Sequence, residues 1–400
     1  MNSTAFFHRD LFRSERLIPG ESKRIVVHLH ESHPVWLIGR SGDCVPPELK
    51  HRAKHYDGPA GLFLALLSIR RTGVGRIVIE SPLTVDSIFC ALFCTLLDFE
   101  IIFQPFAQFT SYVMGRRLFG VNPDVKALDH QTGGQSIQGH GKSVFFKKLT
   151  LALMKFCFQL KGAGWIVLSK FEEDEIRRLF PGTANQPFIR VPWAIAEAPS
   201  RGNEPDFFRK FPQSEGRIKI VLWSRLDYEL KGIDRLLEAV AADQGDRAGR
   251  YHLFLIGPDY AGGLVKSEKR IEQLGLARRV TILGPGAYTP GDTSPLATAD
   301  ASILLSRWDG FPRALRESLQ LSVPIIAGPE THFSEVIHEC QCGEVAENPD
   351  DPASVVSAIH RLVDGIECGK YDSRVFDQAL DRLQAPHLAS RMAAGLARLA

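Results

Sequence analysis

Two carboxylates and two cations stand where they could hold a diphosphate and the polyol attached to it. Asp309 and Glu317 lie eight positions apart in Ser306-Arg307-Trp308-Asp309-Gly310-Phe311-Pro312-Arg313-Ala314-Leu315-Arg316-Glu317. The apolar run Ala301 to Leu305 reads as a strand entering this stretch. Pro312 suits the first turn of a helix, where its missing N–H would have no partner anyway. Asp309 then precedes the helix, beside free backbone N–H groups, and Glu317 projects from it towards the same strand end, where open α/β sheets bind ligands. The cations come from upstream. The strand Ile218 to Trp223 leads into Ser224-Arg225-Leu226-Asp227-Tyr228-Glu229-Leu230-Lys231-Gly232, and a helix follows with Ile233, Leu236, Leu237 and Val240 at i, i+3, i+4 and i+7. Arg225 therefore leaves a strand end and Lys231 stands at a helix start. Fixed positive groups there would stabilise a diphosphate that gains charge as its bond to a carbon breaks.

The elements that position these residues continue in order. They are Leu253 to Pro258 as a strand and glycine turn, Leu274 to Gly284 as a helix end and strand, Ala299-Asp300-Ala301, Val323 to Ala327, and Glu335-Val336-Ile337. In order and spacing, residues 218–365 resemble the large retaining glycosyltransferase family of the GT-B fold, also called family 4 or group 1. Asp309 replaces the first Glu of its Glu-x7-Glu motif. The resemblance implies two Rossmann-like, doubly wound α/β domains facing a cleft, with the nucleotide sugar on the second and the acceptor on the first. It implies that Glu317 holds the ribose hydroxyls and that Asp309, with the Gly310 and Phe311 backbone, holds the donor sugar. Arg225 and Lys231 would stabilise the leaving diphosphate, and Gly284 would line the donor site. No metal or cofactor is implied beyond the nucleotide-diphosphate sugar as co-substrate. One departure concerns the first domain. Where many relatives carry a histidine that contacts the donor sugar, the matching stretch Ile101 to Phe109 has Phe106, leaving Gln104 and Gln108 as acceptor-side candidates.

Length, composition and charge agree with a two-domain enzyme. Four hundred residues exceed what one core usually serves, and 44% hydrophobic with 24% charged residues is an ordinary globular balance. The expected division is 1–195 for an acceptor domain, 196–216 for a linker rich in Pro, Gly and polar residues, and 217–385 for the nucleotide-sugar domain. A helix in 386–400 could cross back to the first domain. The net charge of +2 conceals an asymmetry: residues 1–200 hold 24 Lys and Arg against 18 Asp and Glu, and residues 201–400 hold 24 against 28. The basic first half should face something anionic. Near-neutral total charge and the lack of a recognisable module give nucleic-acid binding no support. Seven scattered cysteines point to reduced thiols and a cytosolic setting, and Cys340-Gln341-Cys342 lacks the second pair of a zinc site. No secretory signal opens the chain, and Asp86, Asp98 and Glu100 interrupt the one apolar region long enough to resemble a membrane span.

The first half alternates elements less legibly. Strands are expected at Arg24 to Leu29, Val35 to Ile38, Arg76 to Ile79, Ile101 to Phe103, Trp165 to Leu168 and Phe188 to Val191. Helices are expected at Gly61 to Arg71, Val85 to Leu97, Val144 to Leu160 and Glu172 to Phe180. His28 and His30 would alternate on the first of these strands, as core or cleft residues rather than metal ligands. The stretch 142–161 interleaves five lysines with bulky apolar residues and no acid. That pattern fits either a core helix with snorkelling lysines or a helix lying on an anionic membrane. Gly141-Lys142-Ser143 ends like a phosphate loop, but Ser136 stands where its first glycine should be, and no dinucleotide fingerprint follows a strand. The expected activity is transfer of a sugar to a glycan or polyprenyl-linked saccharide in bacterial-type surface or exopolysaccharide synthesis, at the cytoplasmic membrane face. A nucleotide-sugar epimerase or hydrolase of the same fold, or a non-catalytic binding subunit, is the alternative.

Overall fold

The computed structural model describes residues 3–8, 18–40, 45–80, 85–105, 156–158, 162–195, 206–284, 295–307 and 309–399. The chain forms two compact units, Met1–Ile195 with Leu383–Ala400, and Ala196–Arg382.

The first unit is built on a parallel sheet of β1 (Thr4–Phe7), β2 (Val35–Arg40), β3 (Ala53–Tyr56), β4 (Arg76–Glu80), β5 (Glu100–Gln104), β6 (Gly162–Val167) and β7 (Phe188–Arg190), in the order β3-β2-β1-β4-β5-β6-β7. Its strands are apolar on both faces because helices cover both. One face carries Phe7, Ile38, Ile77, Ile79, Ile101, Phe103 and Trp165 beneath α2 (Gly58–Arg70), α3 (Val85–Leu96) and α4 (Lys170–Leu179). The other carries Phe6, Leu37, Val78, Ile102 and Ile166, packed against Ile25, Val26 and Leu29 of α1 (Ile18–Ser32). Leu388, Met392 and Leu396 of the C-terminal helix, α11 (Ala385–Arg398), complete that second face. The buried Arg76 ties the helix down, donating from Nε to Glu100 Oε2 at 2.6 Å and from Nη1 to Leu396 O at 2.7 Å.

Two expectations for this unit are corrected. Arg24 to Leu29 is not a strand but the middle of α1. Arg24 is exposed whereas Ile25, Val26 and Leu29 are buried, a one-sided helical spacing that the β-branched cluster disguised. Near the end of α1, His30 Nδ1 accepts from Val35 N at 3.2 Å, and His33, just past the helix, pairs through Nε2 with Thr4 Oγ1 of the first strand at 2.8 Å. The first strand is instead Thr4–Phe7, four residues without a periodic signal, and β3 was not expected at all. Of the expected helix Val144 to Leu160, only 156–158 fall within the described residues, where they are helical.

The second unit repeats the plan with β8 (Ile218–Trp223), β9 (Tyr251–Ile256), β10 (Val280–Leu283), β11 (Ala301–Leu304), β12 (Ile325–Ala327) and β13 (Gly343–Val345), all parallel, in the order β10-β9-β8-β11-β12-β13. The crossovers run through α5 (Ile233–Ala242), α6 (Gly263–Gln273), α7 (Arg313–Gln320) and α8 (Ser334–Cys340), followed by α9 (Pro352–Glu367) and α10 (Ser373–Arg382). In both units the strand order reverses once, between β1 and β4 and between β8 and β11. The loops after the strands on either side of such a reversal part, leaving a crevice at the carboxyl end of the sheet.

Candidate functional site

The crevice of the second unit lies between the loops that follow β8 and β11. Gly232 makes their close approach possible. It has φ +69°, and a Cβ there would lie 2.1 Å from the carbonyl oxygen of Leu305. Only glycine fits the left-handed conformation without strain and leaves room for that oxygen. The loops are then laced together. Arg307 N donates to Leu230 O at 2.9 Å, and its guanidinium makes paired bonds to Asp234 at 2.8 and 2.7 Å. Beneath them the buried Arg235 donates to Asp350 at 2.8 Å, to Leu305 O at 3.1 Å and to Glu330 at 3.2 Å, joining α5 to the loops after β11, β12 and β13. A planar guanidinium with several fixed donors suits this bracing role.

On that frame Lys231 and Asp309 meet in a direct ion pair, although 78 residues separate them in the chain. Ser306 Oγ supports it by donating to Asp309 Oδ2 at 3.2 Å. Lys231 is only 9% exposed, so its charge is turned into the loop junction and not spread into solvent. Arg225 lies with its guanidinium over the Tyr260 ring, 4.6 Å from the centroid, and its buried Nε has no hydrogen-bond partner among the described residues. Between the cations stands Asp227, which the sequence reading passed over. Burial raises its carboxyl above the ordinary value, while its bond from Leu230 N and the charges of Arg225 and Lys231 oppose the rise. Its place three residues before a backbone N–H that it caps is the signature that could have marked it.

Glu317 comes from α7, where it is half-buried. Burial raises its pKa, and Arg313, a hydrogen bond from Trp223 and Arg316 counteract that. Arg225 follows β8 and α7 follows β11, the two strands on either side of the order reversal. Pro312 is the residue before the helix rather than one in its first turn, with ψ at 138°. Phe311 takes a left-handed φ of +60°, and its ring is buried, stacked on Phe333 at 4.1 Å. The strain is held by that stack, and the ring is committed to the core, so only the backbone of Gly310 and Phe311 faces the loop. Gly284 directly follows β10 and lies against Leu264, whose Cδ2 a Cβ would meet at 2.8 Å.

In the first unit, Gln104 ends β5 and is 4% exposed, with Oε1 lacking a partner among the described residues. It is in register with Glu80, the 1% exposed last residue of β4. Phe7 of β1 pairs with Ile79, so the buried His8 stands level with Glu80. Three polar side chains thus end adjacent strands at the reversal point. His8 and Glu80 were missed as candidates, although each is a polar residue closing an apolar run. Gln108 and Phe106 lie outside the described residues, as does 142–161 apart from 156–158. Cys340 and Cys342 are buried, and burial pushes the Cys342 thiol up to about 12, as expected of thiols in a core. Among the described residues no three His, Cys, Asp or Glu side chains gather as metal ligands would.

Solved structures share this architecture over nearly the whole chain. A lipopolysaccharide outer core galactosyltransferase, WaaB in its apo form, is 14% identical, with a TM-score of 0.57 and 99% of both chains covered. The Anabaena Alr3699/HepE structure in complex with UDP is 14% identical, with a TM-score of 0.56 and 100% of both chains covered. Sucrose-phosphate synthase (tll1590) from Thermosynechococcus elongatus is 16% identical, with a TM-score of 0.54, covering 100% of this chain and 99% of its own. No match is found among curated proteins. The chain has the GT-B fold, and its residues 203–371 match the family described as Glycosyl transferases group 1.

Proposed function

We propose that this protein is a retaining glycosyltransferase, of hexosyltransferase type, that moves a sugar from a nucleotide-diphosphate sugar to a glycan or lipid-linked saccharide. The observation that carries the reading is the Lys231–Asp309 ion pair, beside Arg225, at the strand-order reversal of the unit that matches the group 1 family. In this reading Glu317 accepts from the ribose hydroxyls. Asp309, with the Gly310 and Phe311 backbone, orients the donor sugar, and Gly284 lines the site. When the bond between the anomeric carbon and phosphate breaks, its electron pair stays on the diphosphate. Lys231 and Arg225 neutralise that charge without having to reorganise. The acceptor oxygen bonds to the anomeric carbon on the face the phosphate leaves, and its proton passes to a leaving phosphate oxygen. The step balances without a metal or a protein base.

The acceptor is assigned to the first unit, with Gln104, level with Glu80 and His8, and Gln108 as contacts. Among the described residues no helix is long and apolar enough to cross a membrane. In this reading a lipid-linked acceptor is reached peripherally, at the cytoplasmic face, by way of residues 142–161, and the pathway is surface or exopolysaccharide synthesis. The similar HepE structure is a complex with UDP, which makes a uridine nucleotide the first probe. The test is a thermal-shift panel of nucleoside diphosphates and their sugars, because a ligand bound by the folded form raises its melting temperature. One nucleotide series should raise it, and nucleoside diphosphate should then be released only when a saccharide acceptor is supplied. Release without an acceptor would instead make the chain a hydrolase or epimerase. No shift with any member of the panel would refute nucleotide-sugar binding altogether.

A further inference from the structure

We propose that Tyr260 is a positioning residue for Arg225, its ring holding the guanidinium plane so that the N–H edge meets a bound diphosphate. The inference rests on reading Arg225 as a diphosphate contact. It adds a residue, on the loop after β9, that neither the sequence reading nor the family resemblance singled out.

The backbone brings the two residues together before their side chains meet. Leu226 N donates to Pro258 O at 2.7 Å, and Leu226 forms a parallel bridge with Asp259, so the loop after β8 continues alongside the loop after β9. Two glycines allow that approach: a Cβ at Gly257 would lie 1.8 Å from Ser224 O, and one at Gly263 would lie 1.9 Å from Leu226 O. Arg225 stands between those two clamped residues and Tyr260 between those two glycines. The guanidinium carbon of Arg225 sits 4.6 Å from the centroid of the half-buried Tyr260 ring. At that distance the negative face of the ring attracts the cation. The acids on these loops are engaged elsewhere. Asp227 Oδ1 accepts from Leu230 N at 3.2 Å, Asp259 Oδ1 from Leu264 N at 2.8 Å, and Glu229 pairs with Lys266 at 3.6 Å. A ring restrains a guanidinium differently from a carboxylate. It occupies the flat face and uses none of the in-plane N–H donors, which suit two phosphate oxygens at once. β9 lies on the side of β8 away from β11, so the ring backs Arg225 on the flank remote from the crevice. A long side chain that must meet a developing charge gains most from such restraint.

The test compares the wild-type protein with Tyr260→Phe, Tyr260→Leu, Arg225→Ala and Tyr260→Leu/Arg225→Ala chains. ADP, GDP, UDP and dTDP are titrated calorimetrically into the wild type, and the tightest binder and its phosphate-free nucleoside are then taken through the variants. Y260L, which keeps an apolar side chain but no ring, should raise the Kd of the diphosphate about fivefold. The Kd of the nucleoside should change less than about twofold, because nothing in it meets Arg225. Y260F keeps the ring without the hydroxyl and should bind the diphosphate within about twofold of wild type. In the R225A background Y260L should again change that Kd less than about twofold, since the partner is already gone. Any one of three results overturns the inference: Y260L binding the diphosphate like wild type, Y260F losing as much as Y260L, or Y260L losing as much with Arg225 as without it. Equal losses for diphosphate and nucleoside would do the same, by showing that Tyr260 only shapes the loop. Should Y260L not fold, Tyr260→Met, also ringless and more adaptable, reads in its place. Failure of the functional reading shows elsewhere: the wild type would bind none of the four nucleotides, or R225A would bind its diphosphate as tightly as wild type does.

Discussion

Glu317 and Lys231 hold their charges in partly buried places, and each makes a prediction at the scale of a single side chain. Burial raises the Glu317 carboxyl above its ordinary value of 4.5. A raised carboxyl pKa means that the group takes its proton at a higher pH than a free glutamate does. It ceases to be an acceptor-only anion sooner as the solution is acidified. Affinity for a nucleoside diphosphate should therefore weaken on acidification with a limb lying above 4.5, and Glu317→Gln should bind more weakly at neutral pH and lack that limb. Calorimetric titrations of both chains across pH give the comparison; parallel curves would deny Glu317 the contact. For Lys231→Ala or Arg225→Ala, loss of one pre-placed positive partner should lower kcat about a hundredfold, with donor still bound. Unchanged turnover in either would remove that residue from the chemistry. That Arg225, Lys231 and Asp309 lie in the loops after β8 and β11, and Glu317 on the helix that follows, was legible from the apolar runs that precede those loops. Asp227 was not, since an isolated acid near two cations gives no pattern until the loop is folded.

At the scale of elements, the loop between β8 and α5 depends on one backbone position. Gly232→Ala places a methyl group 2.1 Å from Leu305 O and forces a left-handed φ on a residue with a Cβ. The strain alone costs about 1–2 kcal/mol, and the oxygen it strikes belongs to backbone that cannot swing aside. The melting temperature should fall by several degrees, and nucleoside diphosphate affinity should fall with it, because Lys231 is the preceding residue. A G232A chain that keeps both stability and affinity would show that the loops do not need this approach. The same scale contains the plainest misreading. Ile25, Val26 and Val27 have strand propensity, yet they lie in α1, because tertiary contact with Leu37, Val78 and Ile102 rewards a one-sided stripe. Local preference of this size is easily overruled by burial. β1 and β3 went unseen for the converse reason: at four residues each, they are too short to show a period and exist by pairing with β2.

At the scale of the molecule, the chain leaves the first unit, builds the second, and returns to the first with α11. Gly395 lets α11 lie close on β7, since a Cβ there would come 2.4 Å from Ile189. Deleting residues 385–400 strips Leu388, Met392 and Leu396 from one face of the first sheet and takes from Arg76 the carbonyl of Leu396. Losing even one such buried side chain costs about 2–5 kcal/mol, against a domain stability of about 5–15 kcal/mol. Calorimetry of the truncated chain should show the first unit unfolded or melting far lower, with the transition of the second unit retained; an unaltered thermogram would show that α11 is dispensable. A Pro- and Gly-rich boundary, two sets of alternating elements and the acid and cation spacings follow from the amino-acid order alone, because turn chemistry and hydrophobic periodicity act over a few residues. The pairing of Lys231 with Asp309 and the row of His8, Glu80 and Gln104 were settled only by the fold. They join residues that parallel strand crossovers bring together from far apart, and that strand order is decided by which apolar faces can be covered at once.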